Sequence, residues 1–259
     1  MSDPQVVTVA LADRAYDIHI GAGILGQMTA HVPVPLHERT AFIITDRHVA
    51  PYVSAPIKAQ WPGRSYELVL PPGEASKNPD TLHFVLSWML SNGADRGAVV
   101  IAAGGGVIGD LAGLAAALLM RGVPYIQVPT TLLAQVDSAV GGKTAVNMPQ
   151  GKNMIGAFHQ PAAVISDTAL LRSLPEREMR AGYAEILKYA LIDDADFFAW
   201  LEDNGAAILA HDPAALAYAV DRACRKKAAI VAQDERDEGV RMLLNLGHTF
   251  AHGIEAAAG

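Results

Sequence analysis

Short stretches dominated by apolar residues, each followed by an amphipathic stretch, recur through the first part of this chain. Residues 41–45 (Ala-Phe-Ile-Ile-Thr), 66–70 (Tyr-Glu-Leu-Val-Leu) and 98–103 (Ala-Val-Val-Ile-Ala-Ala) have strand length, and apolar runs of that length mark strands buried on both faces of a sheet. Helical stretches follow at 49–60 and 79–92, and the third run breaks into glycines that open a helix through 111–120. Two runs at 6–11 and 16–20, separated by Ala12-Asp13-Arg14, predict an opening hairpin. Residues 23–31 predict a short helix stopped near Pro33 and Pro35. Strand and helix alternate as far as Val128, the signature of a doubly wound α/β domain. Beyond Ser166 the pattern changes to helices at 175–191, 194–202, 213–231 and 241–258. The expected layout is an α/β domain over 1–167 followed by an all-α domain over 168–259. The acidic run at 234–238 is read as a solvated connection between two of those helices.

Composition supports a large buried sheet. The 259 residues are 51% hydrophobic and 18% charged, with a mean hydropathy of +0.21. The longest apolar run, 111–120, is bounded by Asp110 and Arg121 and is too short to span a bilayer. The start has no basic region followed by an apolar stretch, so no secretion signal is expected and the protein is placed in the cytoplasm. Cys224 is the single cysteine, which excludes a disulfide framework and a thiolate metal cluster. A net charge of −7 argues against nucleic-acid binding. Within that acidic chain, Arg121, Lys143 and Lys152 face only Asp137 across their stretch, a local excess that suits a small anionic substrate or a solvated face.

Gly104, Gly106 and Gly109 match the spacing in which glycines let backbone N–H groups approach a pyrophosphate at a helix N-terminus. The acid that would hold a ribose about 20 residues later is missing: after Asp110 the next acid is Asp137. A glycine turn that only packs helix on strand fits the same spacing. Ligands in such sheets gather at the carboxyl ends of the strands. Asp46 and Glu74 both follow predicted strands there, with Lys77 nearby, and are the alternative ribose contacts.

At 100° per residue, Arg241, Asn245, His248 and His252 share one face of the last predicted helix. Such a stripe either faces solvent or lines a site, and imidazoles four apart can share a metal. Thr249 stands where a metalloprotease helix would carry Glu, so that chemistry is excluded. Glu185, with Lys188 three residues on, either completes a histidine metal site or pairs with that lysine. Gly141-Gly142-Lys143-Thr144 lacks the first glycine of a nucleotide P-loop, its position being Asp137. Lys143 is still suited to hold an anion as a point charge.

Taken in order, PPGEASK, GGGVIGDLAG, VPTTLLAQVDSAVGGKTAVN, GKNMIGAFHQP, AGYAEILKYALI and NLGHTFAHGIEA, running from Pro71 to Ala256, resemble the 3-dehydroquinate synthases, the shikimate-pathway members of the sugar phosphate cyclases. The resemblance implies a Rossmann-like NAD domain followed by a helical metal and substrate domain, a homodimer, and NAD with a divalent metal, zinc or cobalt. The implied substrate is 3-deoxy-arabino-heptulosonate 7-phosphate. The resemblance further implies the family's course of reaction, in which NAD takes hydride from a ring alcohol, phosphate is eliminated, the hydride returns, and ring opening with aldol closure gives the carbocycle.

Carried onto matching positions, Asp46, Glu74 and Lys77 would contact the adenosine end of NAD. Gly105, Gly106 and Val107 would take the pyrophosphate, and Asp110, Thr130 and Thr131 the nicotinamide side. Glu185 and His248 resemble metal ligands, and His252 resembles a proton-transfer and phosphate-side residue, which replaces the paired-imidazole reading. Asp137, Lys143, Asn153, Lys188, Lys227, Arg241 and Asn245 would surround substrate. Lys152 would help hold cofactor or substrate, and Arg121 would reach the neighbouring subunit's site.

Members of the family continue to a third metal-ligand histidine in a later His-Gly-Glu motif and a late substrate lysine. On that pattern the chain is expected to be a truncated form of a longer protein, or a form that does not turn over. Three other functions fit parts of the sequence: a sister cyclase acting on another sugar phosphate, a metal-dependent polyol dehydrogenase, and a non-catalytic NAD-binding module.

Overall fold

The computed structural model describes residues 4–247. Nine strands and six α-helices follow one another in it. The strands are β1 (Gln5–Val9), β2 (Tyr16–Gly21), β3 (Ala41–Asp46), β4 (Ser65–Leu70), β5 (Val99–Gly104), β6 (Tyr125–Pro129), β7 (Lys143–Met148), β8 (Gly151–Phe158) and β9 (Ala163–Asp167). The helices are α1 (Ala50–Gln60), α2 (Pro79–Ser91), α3 (Gly106–Leu118), α4 (Glu176–Asp193), α5 (Ala195–Leu209) and α6 (Pro213–Gln233). Seven strands form one sheet in the order β1-β2-β9-β6-β5-β3-β4, parallel throughout except for the β1–β2 hairpin.

Every residue of β3 and β5 is buried, as an apolar run in a sheet covered on both faces requires. The two-residue period of a strand divides them. Phe42, Ile44, Val100 and Ala102 face α2 and α3, whereas Ile43 and Ile101 face α1 and the 3-10 segment Ile24–His31. The third core lies under the first hairpin, where Ile18, Ile20 and Val164 pack against α4, α5 and α6. Local capping starts the helices where the sequence suggests. Asn78 accepts from Thr81 N–H ahead of Pro79, Asp194 from Phe197 N–H, and Asp212 from Ala214 and Ala215 N–H.

Three elements differ from the sequence reading. Residues 143–158, expected only as a source of charged side chains, form the β7–β8 hairpin, which packs on α3. The short helix expected at 23–31 forms over Ile24–His31, but with 3-10 geometry and a break at Gln27. Arg241 opens no long helix within the described residues: Val240–Asn245 is a single 3-10 stretch, and Leu246 after it is non-helical. His248 and His252 lie outside the described residues.

Candidate active site

A cleft of about 1020 Å³ opens at the carboxyl ends of β3, β5 and β6, where parallel sheets bind their ligands. Its floor is the glycine turn: Gly105, Gly106 and Val107 line it as the first turn of α3, presenting the N-terminal N–H groups of a 13-residue helix. The glycines divide into two kinds. A Cβ on Gly104 would come within 2.6 Å of Ile108 Cβ, and one on Gly109 within 2.9 Å of Gln127 Oε1, so these two serve packing. A Cβ on Gly105 or Gly106 would press on Thr131 Cγ2 at 3.0 Å or Ser138 Oγ at 3.1 Å. Those two let the loop after β6 close down beside the helix terminus. This fits a dinucleotide phosphate, and it also accounts for the packing half of the motif.

One wall of the cleft is a polar chain. Asn147 Nδ2 donates to Glu74 Oε1 at 2.6 Å, Asn147 Oδ1 accepts from Asn153 N–H at 2.8 Å, and Lys77 Nζ donates to Asn153 Oδ1 at 2.6 Å and to Asp110. Lys77 is 6% exposed in its side chain and Asp110 is 17% exposed. Burial pushes the Asp110 carboxyl up to about 6, against the pull of Lys77. Asp46 turns its carboxylate back onto the N–H groups of His48 and Val49 at 2.8 and 3.2 Å, which shapes the loop at the end of β3. Thr130 and Thr131 follow β6 on the same opening.

Asp137 joins this cleft to a second cluster. It sits in a π-helical turn, Ala134–Ser138, a distortion that occurs disproportionately at functional sites. Gln135 in that turn is anchored to the carbonyls of Pro129 and Asp167 at 3.1 and 3.0 Å. Lys227 from α6 donates to the Asp137 carboxylate at 2.7 Å and to its carbonyl at 2.5 Å, and Tyr189 from α4 donates to the same carboxylate oxygen at 2.8 Å. Burial alone would raise the Asp137 carboxyl, but Lys227, Lys188 and Tyr189 together hold it well below the usual carboxylate range. Burial depresses Lys227 in turn, although Asp137 opposes that. Lys188, one helical step before Tyr189, pairs with Glu185.

Beyond this cluster, Arg241 is 3% exposed, with its guanidinium against the carbonyls of Glu235 and Gly141. Lys143 pairs with Asp237. The acidic run at 234–238 is the expected connection, half-buried to exposed between α6 and the last 3-10 stretch, but it is tied down as well as solvated. Its backbone folds over the Asp234 carboxylate, and its members hold two of the cations expected near substrate.

Arg121 and Lys152 are exposed and do not themselves line the cleft, although Lys152 adjoins Asn153, which does. Asn245 ends the last 3-10 stretch. Among the described residues no three His, Cys, Asp or Glu side chains cluster as metal ligands. Glu185, largely buried in its pair with Lys188, supplies one hard oxygen donor of the kind a zinc or cobalt site uses. Sequence reasoning missed His48, Tyr52, Ser138 and Glu178, all on the cleft; Tyr52, half exposed on α1, is an aromatic that a search of helix N-terminal turns beside the strand ends would have raised.

Comparison with known proteins agrees along the whole chain. Residues 67–181 match the 3-dehydroquinate synthase N-terminal family and residues 182–259 the 3-dehydroquinate synthase C-terminal family. A 3-dehydroquinate synthase of Rhodospirillum rubrum is 51% identical over 257 residues, 98% of this chain and 67% of that protein. Among solved structures, 2-deoxy-scyllo-inosose synthase complexed with carbaglucose-6-phosphate, NAD+ and Co2+ aligns with a TM-score of 0.89 at 28% identity, over 98% of this chain and 71% of that one. The 2-epi-5-epi-valiolone synthase of Streptomyces hygroscopicus, with NAD+ and Zn2+ bound, aligns with a TM-score of 0.85 at 31% identity, over 96% of this chain and 70% of that one. Glycine turn, strand-end cleft and Asp137 cluster thus stand on a chain that belongs to the 3-dehydroquinate synthase family of lyases.

Proposed function

We propose that this chain converts 3-deoxy-arabino-heptulosonate 7-phosphate into 3-dehydroquinate and phosphate, with residues 1–167 binding NAD and residues 168–259 contributing to the metal and substrate sites. The observation that carries this reading is the continuity of the site. A cleft shaped for a dinucleotide runs directly into Asp137, and Asp137 is held by Lys227 and Tyr189 from the helical part. NAD would supply a transient oxidation, and a divalent metal, zinc or cobalt as in the two structural relatives, would supply a Lewis acid for it. Glu185 and His248 would hold that metal.

The chain's own residues do the rest. Gly105, Gly106 and Val107 receive the pyrophosphate at the α3 N-terminus. Asp46, Glu74 and Lys77 receive the adenosine end, and Asp110, Thr130 and Thr131 the nicotinamide side. Asp137 and Lys227 form an ion pair across 2.7 Å, in which the ammonium is suited to donate to a substrate oxygen while the carboxylate accepts from a substrate hydroxyl and orients it. Lys188 carries positive charge to the same place. Arg241 offers a planar fork for the substrate carboxylate, while Lys143, Asn153 and Asn245 would surround the remaining polar groups, and His252, outside the described residues, would serve proton transfer on the phosphate side. Lys152 helps to hold cofactor or substrate.

A cytoplasmic homodimer completes the proposal, with Arg121 reaching the neighbour's site. Its support is backbone strain: Met120 and Arg121 both adopt left-handed conformations, at φ of 50° and 70°, immediately before Gly122. Such strain in non-glycine residues is concentrated where a side chain must be aimed.

The test is incubation of the enzyme with 3-deoxy-arabino-heptulosonate 7-phosphate and NAD, alongside a panel of sugar phosphates without a carboxylate. Equal release of phosphate and 3-dehydroquinate, with no net NADH, is expected. Turnover of a carboxylate-free sugar phosphate instead would assign a sister cyclase. Accumulating NADH would assign a polyol dehydrogenase.

A further inference from the structure

Glu235 stands where three distant segments cross. Its Oε1 accepts from Arg14 Nη1 at 2.7 Å and from Gln160 Nε2 at 2.9 Å, and its Oε2 accepts from Arg14 Nη2 at 2.9 Å. Its backbone carbonyl accepts from Arg241 Nη1 at 2.6 Å. Arg14 belongs to the 3-10 turn of the first hairpin, Gln160 follows β8, and Arg241 lies in the last 3-10 stretch.

Through Gln160 the same carboxylate is linked to the turn on the other side of Arg241. Arg241 Nη2 donates to the Gly141 carbonyl at 3.3 Å, and a Cβ on Gly141 would stand 2.5 Å from that nitrogen. Gly142, the next residue, is packed by Gln160, whose Cδ a Cβ would approach to 2.6 Å. Both glycines hold positive φ, 96° and 64°, a turn that other residues adopt only with strain. Glu235 thus fixes one side of the guanidinium slot with its carbonyl, and through Gln160 it braces the glycine turn that forms the other. The backbone between Glu235 and Arg241 is closed by the Asp234 carboxylate, which accepts from the N–H groups of Glu238, Gly239 and Arg241 at 3.0, 2.7 and 3.0 Å.

We propose that Glu235, with Arg14 as its countercharge, is a positioning residue that sets the plane of the Arg241 guanidinium for the substrate carboxylate. The proposal rests on the reading of Arg241 given above. A guanidinium grips a carboxylate bidentately only when the two planes match, and small errors of placement are costly in a preorganised site. As a mere surface contact the Arg14–Glu235 pair would do little, because Arg14 is 54% exposed and exposed ion pairs contribute little to stability.

The experiment compares Glu235→Gln, Arg14→Ala and Arg241→Lys in the full-length enzyme. It measures steady-state kinetics with 3-deoxy-arabino-heptulosonate 7-phosphate, calorimetric NAD affinity and Tm. Expected is a KM raised about tenfold by Glu235→Gln and about fourfold by Arg14→Ala, with kcat within about twofold and NAD affinity and Tm unchanged, the pattern of lost substrate binding. Unchanged KM in both variants, while Arg241→Lys raises it, overturns the positioning role alone. A KM that Arg241→Lys leaves unchanged overturns the assignment of Arg241 itself. Parallel loss of KM, NAD affinity and Tm would reduce Glu235 to a structural contact and likewise overturn the proposal. Should Glu235→Gln fail to fold, Arg14→Ala and Gln160→Met decide the matter by the same pattern.

Discussion

The Asp137–Lys227 pair shows how one residue's protonation is set by its neighbours. Asp137 is depressed, so its contribution to stability is present above the unfolded carboxylate value and is lost as pH falls through the folded one. Asp137→Asn would leave Lys227, 5% exposed, without its anion. We expect it to cost about 3 kcal/mol in urea unfolding at neutral pH, the scale for breaking a buried pair, with partial recovery at high pH as Lys227 loses its proton. Asp110 has the opposite sign. Because its carboxyl is raised to about 6, its neutral form is the one the fold favours, and stability should decline as pH rises from about 4 to about 6. Asp110→Asn should flatten that decline. Unfolding curves across that range test both signs. Cys224 is fully buried, donates to the Gln135 carbonyl at 3.2 Å, and is pushed up to about 12 by burial. The folded protein should therefore leave a thiol reagent such as Ellman's unreacted near neutral pH and consume one equivalent only after unfolding.

At the scale of elements, the site depends on how closely α4 lies against the segment after β6. Gly182 makes that approach possible: a Cβ there would stand 2.6 Å from Leu132 Cβ and 2.7 Å from Leu133 N. Leu133 immediately precedes the π-helical turn that carries Asp137, and α4 also carries Glu185, Lys188 and Tyr189. Gly182→Ala should thus separate the two sides of the cluster. We expect a loss of about 1–3 kcal/mol, the range for overpacking a close contact, and a fall in kcat larger than any change in NAD affinity, read by unfolding and by calorimetry on the same preparation. The β7–β8 hairpin plays the corresponding part on the other side, since Asn147 and Asn153 at its two strands connect Glu74 with Lys77.

At the scale of the whole molecule, the homodimer proposal makes a prediction that contacts within one chain do not. If Arg121 acts in its neighbour's site, Arg121→Ala and Lys188→Met should each be inactive alone. Mixing the two under conditions that exchange subunits should restore about a quarter of wild-type activity, because about half of the dimers are mixed and each holds one complete site. No recovery on mixing would place Arg121 in its own subunit's chemistry or outside it.

The sequence alone was sufficient for the parallel α/β layout, the glycine turn and the family, because burial of apolar runs and glycine spacing are local properties that periodicity and motif order record. Strands β3 and β5 and helices α1 to α3 stand close to where the pattern placed them. The β7–β8 hairpin escaped because β8 is largely exposed, and its run Met154-Ile155-Gly156-Ala157-Phe158 is broken by a glycine and does not alternate with polar positions. The contacts of the run at 234–238 escaped because charge along a sequence says nothing about which partners folding brings to it. Arg14 and Glu235 are 221 residues apart, and Asp137 and Lys227 are 90 apart. Only tertiary structure makes those pairs, since the energy of a charge depends on distance and burial, and both are set when the helical part closes on the first hairpin and the π-helical turn.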